Sequence, residues 1–171
     1  MTERLVLVAP RARDLMWDAL CNRACELPPL LEHEVTAQAL AGAPSEDGVV
    51  RRDHRWSARP NVPAILAPHI DSEYLEWTCR TEWRPRDYRS RWTIEPAFLR
   101  ESALCEVTMD FQPAIGGRGT RIAIALDLEA LRAPAAVRTI TARILATHFR
   151  MLVEAAARLV AQPALPREDP Q

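Results

Sequence analysis

Lysine is missing from this chain, and all 22 basic residues are arginine. Without an amine side chain no Schiff base can form, which excludes that class of covalent catalysis. No apolar run approaches the roughly eighteen residues that a bilayer span requires, so no transmembrane segment is expected. The first ten residues lack the basic, apolar and small-residue layout of a secretory signal, and their apolar part is too short. Cysteine is scarce: Cys21, Cys25, Cys79 and Cys105 are too few and too irregular for a disulfide framework. Reduced thiols in the cytoplasm are the expectation. A charge excess is absent too. The formal net charge is -1, which gives no general pull toward nucleic acid or anionic membrane.

What is present is regular punctuation. Fourteen prolines mark element ends, and the five glycines sit in two places, Gly42/Gly48 and Gly116/Gly117/Gly119. A chain of 171 residues is long enough for one domain with a proper core. Residues 4–9 form a strand candidate, residues 11–22 a helix carrying Leu15, Met16, Ala19 and Leu20, and residues 22–31 a second short helix. Residues 34–41 and 48–58 flank a hairpin-like loop. Residues 74–83, 88–95, 102–112 and 119–129 then alternate with period two, the signature of an antiparallel meander with one dry face. Residues 134–162 read as a helix roughly 40 Å long. Its apolar stripe is expected to comprise Val137, Ile144, Leu145, Met151, Leu152, Ala155, Ala156 and Leu159, with Thr141 and His148 projecting from it. The expected fold is therefore α+β, in the order β-α-α-β6-α: a curved sheet wrapped around a long C-terminal helix, occupying residues 1–162 and followed by a frayed tail, 163–171.

The strand phase lines up an inner face that combines apolar and polar groups. Arg52, His54 and Trp56 share it on one strand, Trp77, Cys79, Thr81 and Trp83 on the next, then Ser90 and Trp92, then Met109 and Phe111. His148 reads either as a core histidine bonded to a carbonyl or as the polar anchor of a ligand, with Thr141 two turns earlier as a second handle. Arg52, if inside, requires a carboxylate, an anionic ligand or a place at the mouth. The tryptophans read as core or as pocket walls. Ser90, Thr81 and Cys79 lack the base and orienting acid of a triad, so no catalytic residue is assigned. Cys21 and Cys25 have helical spacing, but no matching Cys or His pair completes a metal site, and neither metal nor cofactor is expected. His33 and His69 fall beside loops and read as solvated. Residues 116–119 precede a strand and read as a hairpin turn rather than a phosphate cradle. Outer-face arginines (Arg80, Arg89, Arg91, Arg121) alternate with Glu76, Glu82, Glu95, Glu106, Asp110 and Asp127, which fits cross-strand ion pairs and argues against a nucleic-acid surface. The proline-rich stretch 59–71 is either a surface connection or a lid over a cavity mouth.

The phrases LVLVAPRARDLMWDAL, YLEWTCRTEW, SRWTIEP, GGRGTRIAIALDL and FRMLVEAAARLV, in this order, resemble the START-like superfamily (polyketide cyclase/dehydrase and lipid transport, SRPBCC), and a bacterial branch of it above all. The resemblance spans residues 5–160. It implies a helix-grip fold with a deep apolar pocket between sheet and last helix, of the kind members use to carry lipids or aromatic metabolites and sometimes to transform them. Ligand-binding residues are then expected to be Arg52, His54, Trp56, Trp77, Cys79, Thr81, Ser90, Trp92, Met109, Thr141, His148 and Leu152. The expected function is binding or transport of a hydrophobic small molecule. The alternative is a cyclase- or dehydratase-like enzyme using His54, His148 or Arg52. A homodimer is compatible with the sequence and not required by it.

Overall fold

The computed structural model describes residues 2–31, 35–41, 48–58, 75–97 and 105–161. Seven strands, β1 (Thr2–Ala9), β2 (Val35–Leu40), β3 (Val50–Ala58), β4 (Leu75–Arg84), β5 (Arg89–Pro96), β6 (Cys105–Ala114) and β7 (Gly119–Asp127), form one antiparallel sheet in the order β1-β7-β6-β5-β4-β3-β2. Helix α1 (Arg13–Asn22) follows β1, and helix α2 (Ala135–Leu159) follows β7. This is the helix-grip α+β architecture. The loop 42–47, His33, His69, the stretch 59–71 and the tail 163–171 lie outside the described residues.

Burial follows the period-two reading closely. Cys105, Val107, Met109 and Phe111 on β6 and Ile122, Ile124 and Leu126 on β7 are buried, and the residues between them are not. The phase of β3 matches as well, with His54 and Trp56 inside and Arg55 outside. On the wet face Arg89 pairs with Asp110 at 2.6 Å, Arg91 with Glu106 at 2.7 Å and Arg80 with Glu95 at 2.9 Å. These are the cross-strand pairs that the charge alternation implies.

The second helical segment differs from expectation. Residues 22–31 form two 3-10 turns, Ala24–Glu26 and Pro28–Leu30, instead of a helix. Pro28 and Pro29 cannot donate the backbone bonds that an α-helix needs there. The chain instead makes i to i−3 bonds, Leu27 to Ala24 at 3.2 Å and Leu30 to Leu27 at 2.9 Å.

Helix α2 is also rotated from its expected phase. Its buried residues are Val137, Ala142, Phe149, Leu152, Val153, Ala155, Ala156 and Leu159, whereas Ile144 is 40% exposed. At 100° per residue the buried arc is turned by about 50° from the predicted stripe. The cause is the neighbour. The helix backbone approaches α1 and β1 most closely, and Ala155 and Ala156 on its buried arc are small enough to permit close packing. Two arginines fasten it there: Arg11 Nε donates to the Ala157 carbonyl at 3.3 Å, and Arg158 Nη2 to that of Leu30 at 2.7 Å. The helix therefore lies toward one side of the sheet and reaches β3, β4 and β5 through its side chains.

Candidate functional site

The five tryptophans lie along one chain of rings. At the α1 end Trp17 meets Trp83 at 4.9 Å, Tyr88 at 5.3 Å and Phe111 at 5.4 Å, all edge-on. Trp83 contacts Trp92 at 5.5 Å, and Trp92 meets Phe149 of α2 at 5.5 Å. Phe149 leads to His148 at 5.8 Å, which faces Trp56 at 5.9 Å and Trp77 at 5.3 Å. Trp56 and Trp77, opposite each other on β3 and β4, are stacked within 7° at 6.3 Å. Such ring pairs add to the burial energy through their quadrupoles.

The two ends of this chain differ in how their polar groups are used. Trp83 Nε1 donates to Thr81 Oγ1 at 2.8 Å, and Thr81 donates onward to the Arg52 carbonyl at 2.8 Å. Trp92 Nε1 donates to Ser90 Oγ at 2.9 Å. Each acceptor stands two residues before its tryptophan, on the same face of the same strand. Trp56 has no such partner. Its Nε1 is buried and without an acceptor, in a residue only 1% exposed. The residue two before it is His54.

His54 is buried, and desolvation, the largest influence, lowers its pKa below the ordinary histidine value; Asp53 opposes this and Arg52 reinforces it. His148 keeps a sliver of open surface, yet its surroundings desolvate it enough to bring its pKa down to about 4. Neither ring finds a hydrogen-bond partner among the described residues, and they make no ring contact with each other. Both are neutral imidazoles at neutral pH.

The remaining candidates fall into two groups. Met109 and Leu152 are fully buried core residues, and the hydroxyls of Thr81 and Ser90 already accept the indole bonds. Burial pushes the Cys79 thiol up to about 12, with a hydrogen bond from Trp77 opposing it, so it carries no thiolate. Arg52 is half-buried and turned toward the end of α1. Its Nη2 donates to Asn22 Oδ1 at 3.2 Å and its Nη1 to the Arg51 carbonyl at 3.0 Å. Thr141 is half-buried on α2, two turns before His148. The structure thus brings Trp56, Trp77 and His148 together, with Trp92 joined to them through Phe149.

Two residues of this region escape a reading of the sequence. Phe149 is the ring that joins α2 to β5, and its signal was its place beside His148 in a helix whose phase depends on α1. Arg138 is half-buried with an unpartnered buried Nε, and an arginine in an amphipathic helix reads by default as a wet-face residue. On the far side of α2 a shallow groove of about 110 Å³, edged by Leu7, Pro10, Arg150 and Ala157, lies away from these rings.

No family model matches the sequence, and no curated protein matches it either. Solved structures do match. The crystal structure of TTHA0849 from Thermus thermophilus is 18% identical, with 94% of this chain and 97% of that one covered and a TM-score of 0.65. The Zhui aromatase/cyclase from a Streptomyces species is 11% identical, with 98% of both chains covered and a TM-score of 0.65. A START superfamily protein from Mycobacterium smegmatis is 13% identical over 92% of this chain and 98% of that one, with a TM-score of 0.58. At these identities the likeness is one of fold: the chain has the START-like, SRPBCC-type fold.

Proposed function

We propose that this START-like chain binds or carries a hydrophobic small molecule, a lipid or an aromatic or polyketide-like metabolite, between β3–β5 and α2. The observation that supports this is the set of unspent polar groups within an aromatic wall: the Trp56 indole N–H and the neutral rings of His54 and His148. Small-molecule sites combine apolar walls with a few unpaired polar groups in this way. A purely structural core leaves such groups satisfied, as Trp83 and Trp92 are. The fold supports the same reading, since the START superfamily protein and the Zhui aromatase/cyclase share it. Among the described residues no helix is long and apolar enough to cross a membrane. The four free cysteines support a reducing compartment, and the cytoplasm is the location that goes with this proposal. Organic extraction of the purified protein followed by mass spectrometry, together with thermal-shift screening of lipid and aromatic panels, tests the reading. An extracted apolar compound or a stabilising hit supports it. Failure of both across broad panels overturns it.

A cyclase- or dehydratase-like activity is the second reading. It is favoured by His148, a neutral imidazole beside aromatic platforms, which can take a proton from a bound substrate. His148→Gln separates the two: an enzyme loses turnover and retains binding, whereas a carrier has no turnover to lose.

A further inference from the structure

Of the four tryptophans on the inner sheet face, Trp56, Trp83 and Trp92 are buried and Trp77 is half-buried, and their local sequences differ in one respect. Trp83 follows Thr81 and Trp92 follows Ser90, and both indoles donate to those hydroxyls. Trp77 follows Leu75 and has the Cys79 sulfur as its polar neighbour. Trp56 follows His54, whose ring does not accept from it, and Trp56 Nε1 alone of the described tryptophan nitrogens is buried with no acceptor. Leaving a buried donor unmatched costs its full desolvation, with no hydrogen bond to offset it. A fold that supplies a hydroxyl to two neighbouring indoles could have supplied one here. Phe at this position would have avoided the cost altogether.

We propose, on the basis of the ligand-binding reading above, that Trp56 is a specificity-determining hydrogen-bond donor and that the part of the ligand reaching it carries an uncharged acceptor oxygen, such as a ketone, quinone, lactone or ether, on a flat unsaturated skeleton. The flat skeleton is implied by the aromatic surface around the donor: Trp56 and Trp77 lie parallel within 7° on neighbouring strands, and His148 stands edge-on to both at 86° and 90°. The lack of charge is implied by what surrounds the donor. On the inner faces of β3, β4 and β5 the one arginine among the described residues is Arg52, and its guanidinium is engaged by Asn22 and the Arg51 carbonyl. Arg138 lies ten residues before His148 on α2, roughly 15 Å up the helix, too far to neutralise an anion held at Trp56. Burial keeps His54 and His148 neutral. A carboxylate placed against Trp56 would therefore be buried without a counter-charge, which is far costlier than the single hydrogen bond it would gain. A ketone needs one donor and finds it.

Three probes on one skeleton test this: fluorenone, fluorene and fluorenecarboxylate, titrated into the wild-type protein and Trp56→Phe. Fluorenone is expected to bind the wild type about five- to tenfold more tightly than fluorene, the value of one neutral hydrogen bond. The carboxylate is expected to bind most weakly. In Trp56→Phe the ratio of fluorenone to fluorene affinity should fall to about one, whatever the loss of ring area does to the two affinities together. A gap that survives in Trp56→Phe, or a carboxylate that binds best, overturns the proposal and leaves the binding function standing. If none of the three binds, the proposal falls, while the binding function is decided separately by the extraction and the broad lipid and aromatic panels. Should Trp56→Phe fail to fold, proton–nitrogen correlation spectra of the wild type decide instead. The Trp56 indole resonance should move downfield with fluorenone and not with fluorene, and an indole signal equally indifferent to both overturns the proposal.

Discussion

Ser90 and Thr81 show how much a single buried hydroxyl carries in this core. Ser90→Ala removes the acceptor of Trp92 Nε1, in a residue 3% exposed, and leaves an indole N–H with neither solvent nor partner. Urea unfolding should show a loss of about 1–3 kcal/mol. Thr81→Val should cost at least as much, because Thr81 also donates to the Arg52 carbonyl. His148 makes stability depend on pH, with a sign that follows from its depressed pKa. Above the ordinary value of 6.5 the ring is neutral in both folded and unfolded chains and contributes no slope. Between 6.5 and about 4 the unfolded chain takes up a proton that the folded chain refuses, so stability falls as pH falls, by up to about 3 kcal/mol; below 4 the slope ends. Urea midpoints measured at intervals from neutral pH down to about pH 4.5 should show this decline, and His148→Phe should flatten most of it. A remaining slope in the same direction belongs to His54, whose pKa is also lowered by burial.

Helix α2 and strands β3–β7 show what a sequence can and cannot disclose at the level of elements. The strands are legible because period two has only two phases, and a one-residue error would expose every buried side chain of β6. The helix is legible in extent and not in rotation. Its stripe is broad, with alanines and a histidine that suit either flank, and α1 and β1 decide which arc is covered. His54 and Trp56 follow from the strand rule, whereas Phe149 required knowledge of where α1 sits. The rotation has a measurable consequence. Phe149→Ala should destabilise the protein by about 3–5 kcal/mol, and Ile144→Ala, on the open flank, by roughly 0.5 kcal/mol or less, by thermal or urea unfolding. Ala156→Leu, at a residue 0% exposed on the buried arc of α2, should cost about 1–3 kcal/mol through overpacking. The same logic explains the two 3-10 turns after α1, where apolar spacing suggests a helix and the Pro28-Pro29 pair forbids its bonding.

The whole molecule is asymmetric in where its stability resides. On the convex face the arginine–carboxylate ladder is exposed, with the side chains of Arg80, Arg89 and Arg91 54–58% accessible, and pairs so open to solvent and salt add little to stability. Arg91→Gln should therefore shift the urea midpoint little, and raised salt should do little more. The concave side holds the rings, and all five tryptophans of the chain belong to their series from Trp17 to Trp77. Chromophores packed this closely exchange excitation, so light absorbed at the α1 end can be emitted or quenched near His148. Intrinsic fluorescence and near-ultraviolet circular dichroism then report on the entire array at once, and a molecule touching only the Trp56–Trp77 pair should dim or recolour the emission of tryptophans it never meets. The protein carries its own unlabelled optical sensor, wired from one flank of the sheet to the other.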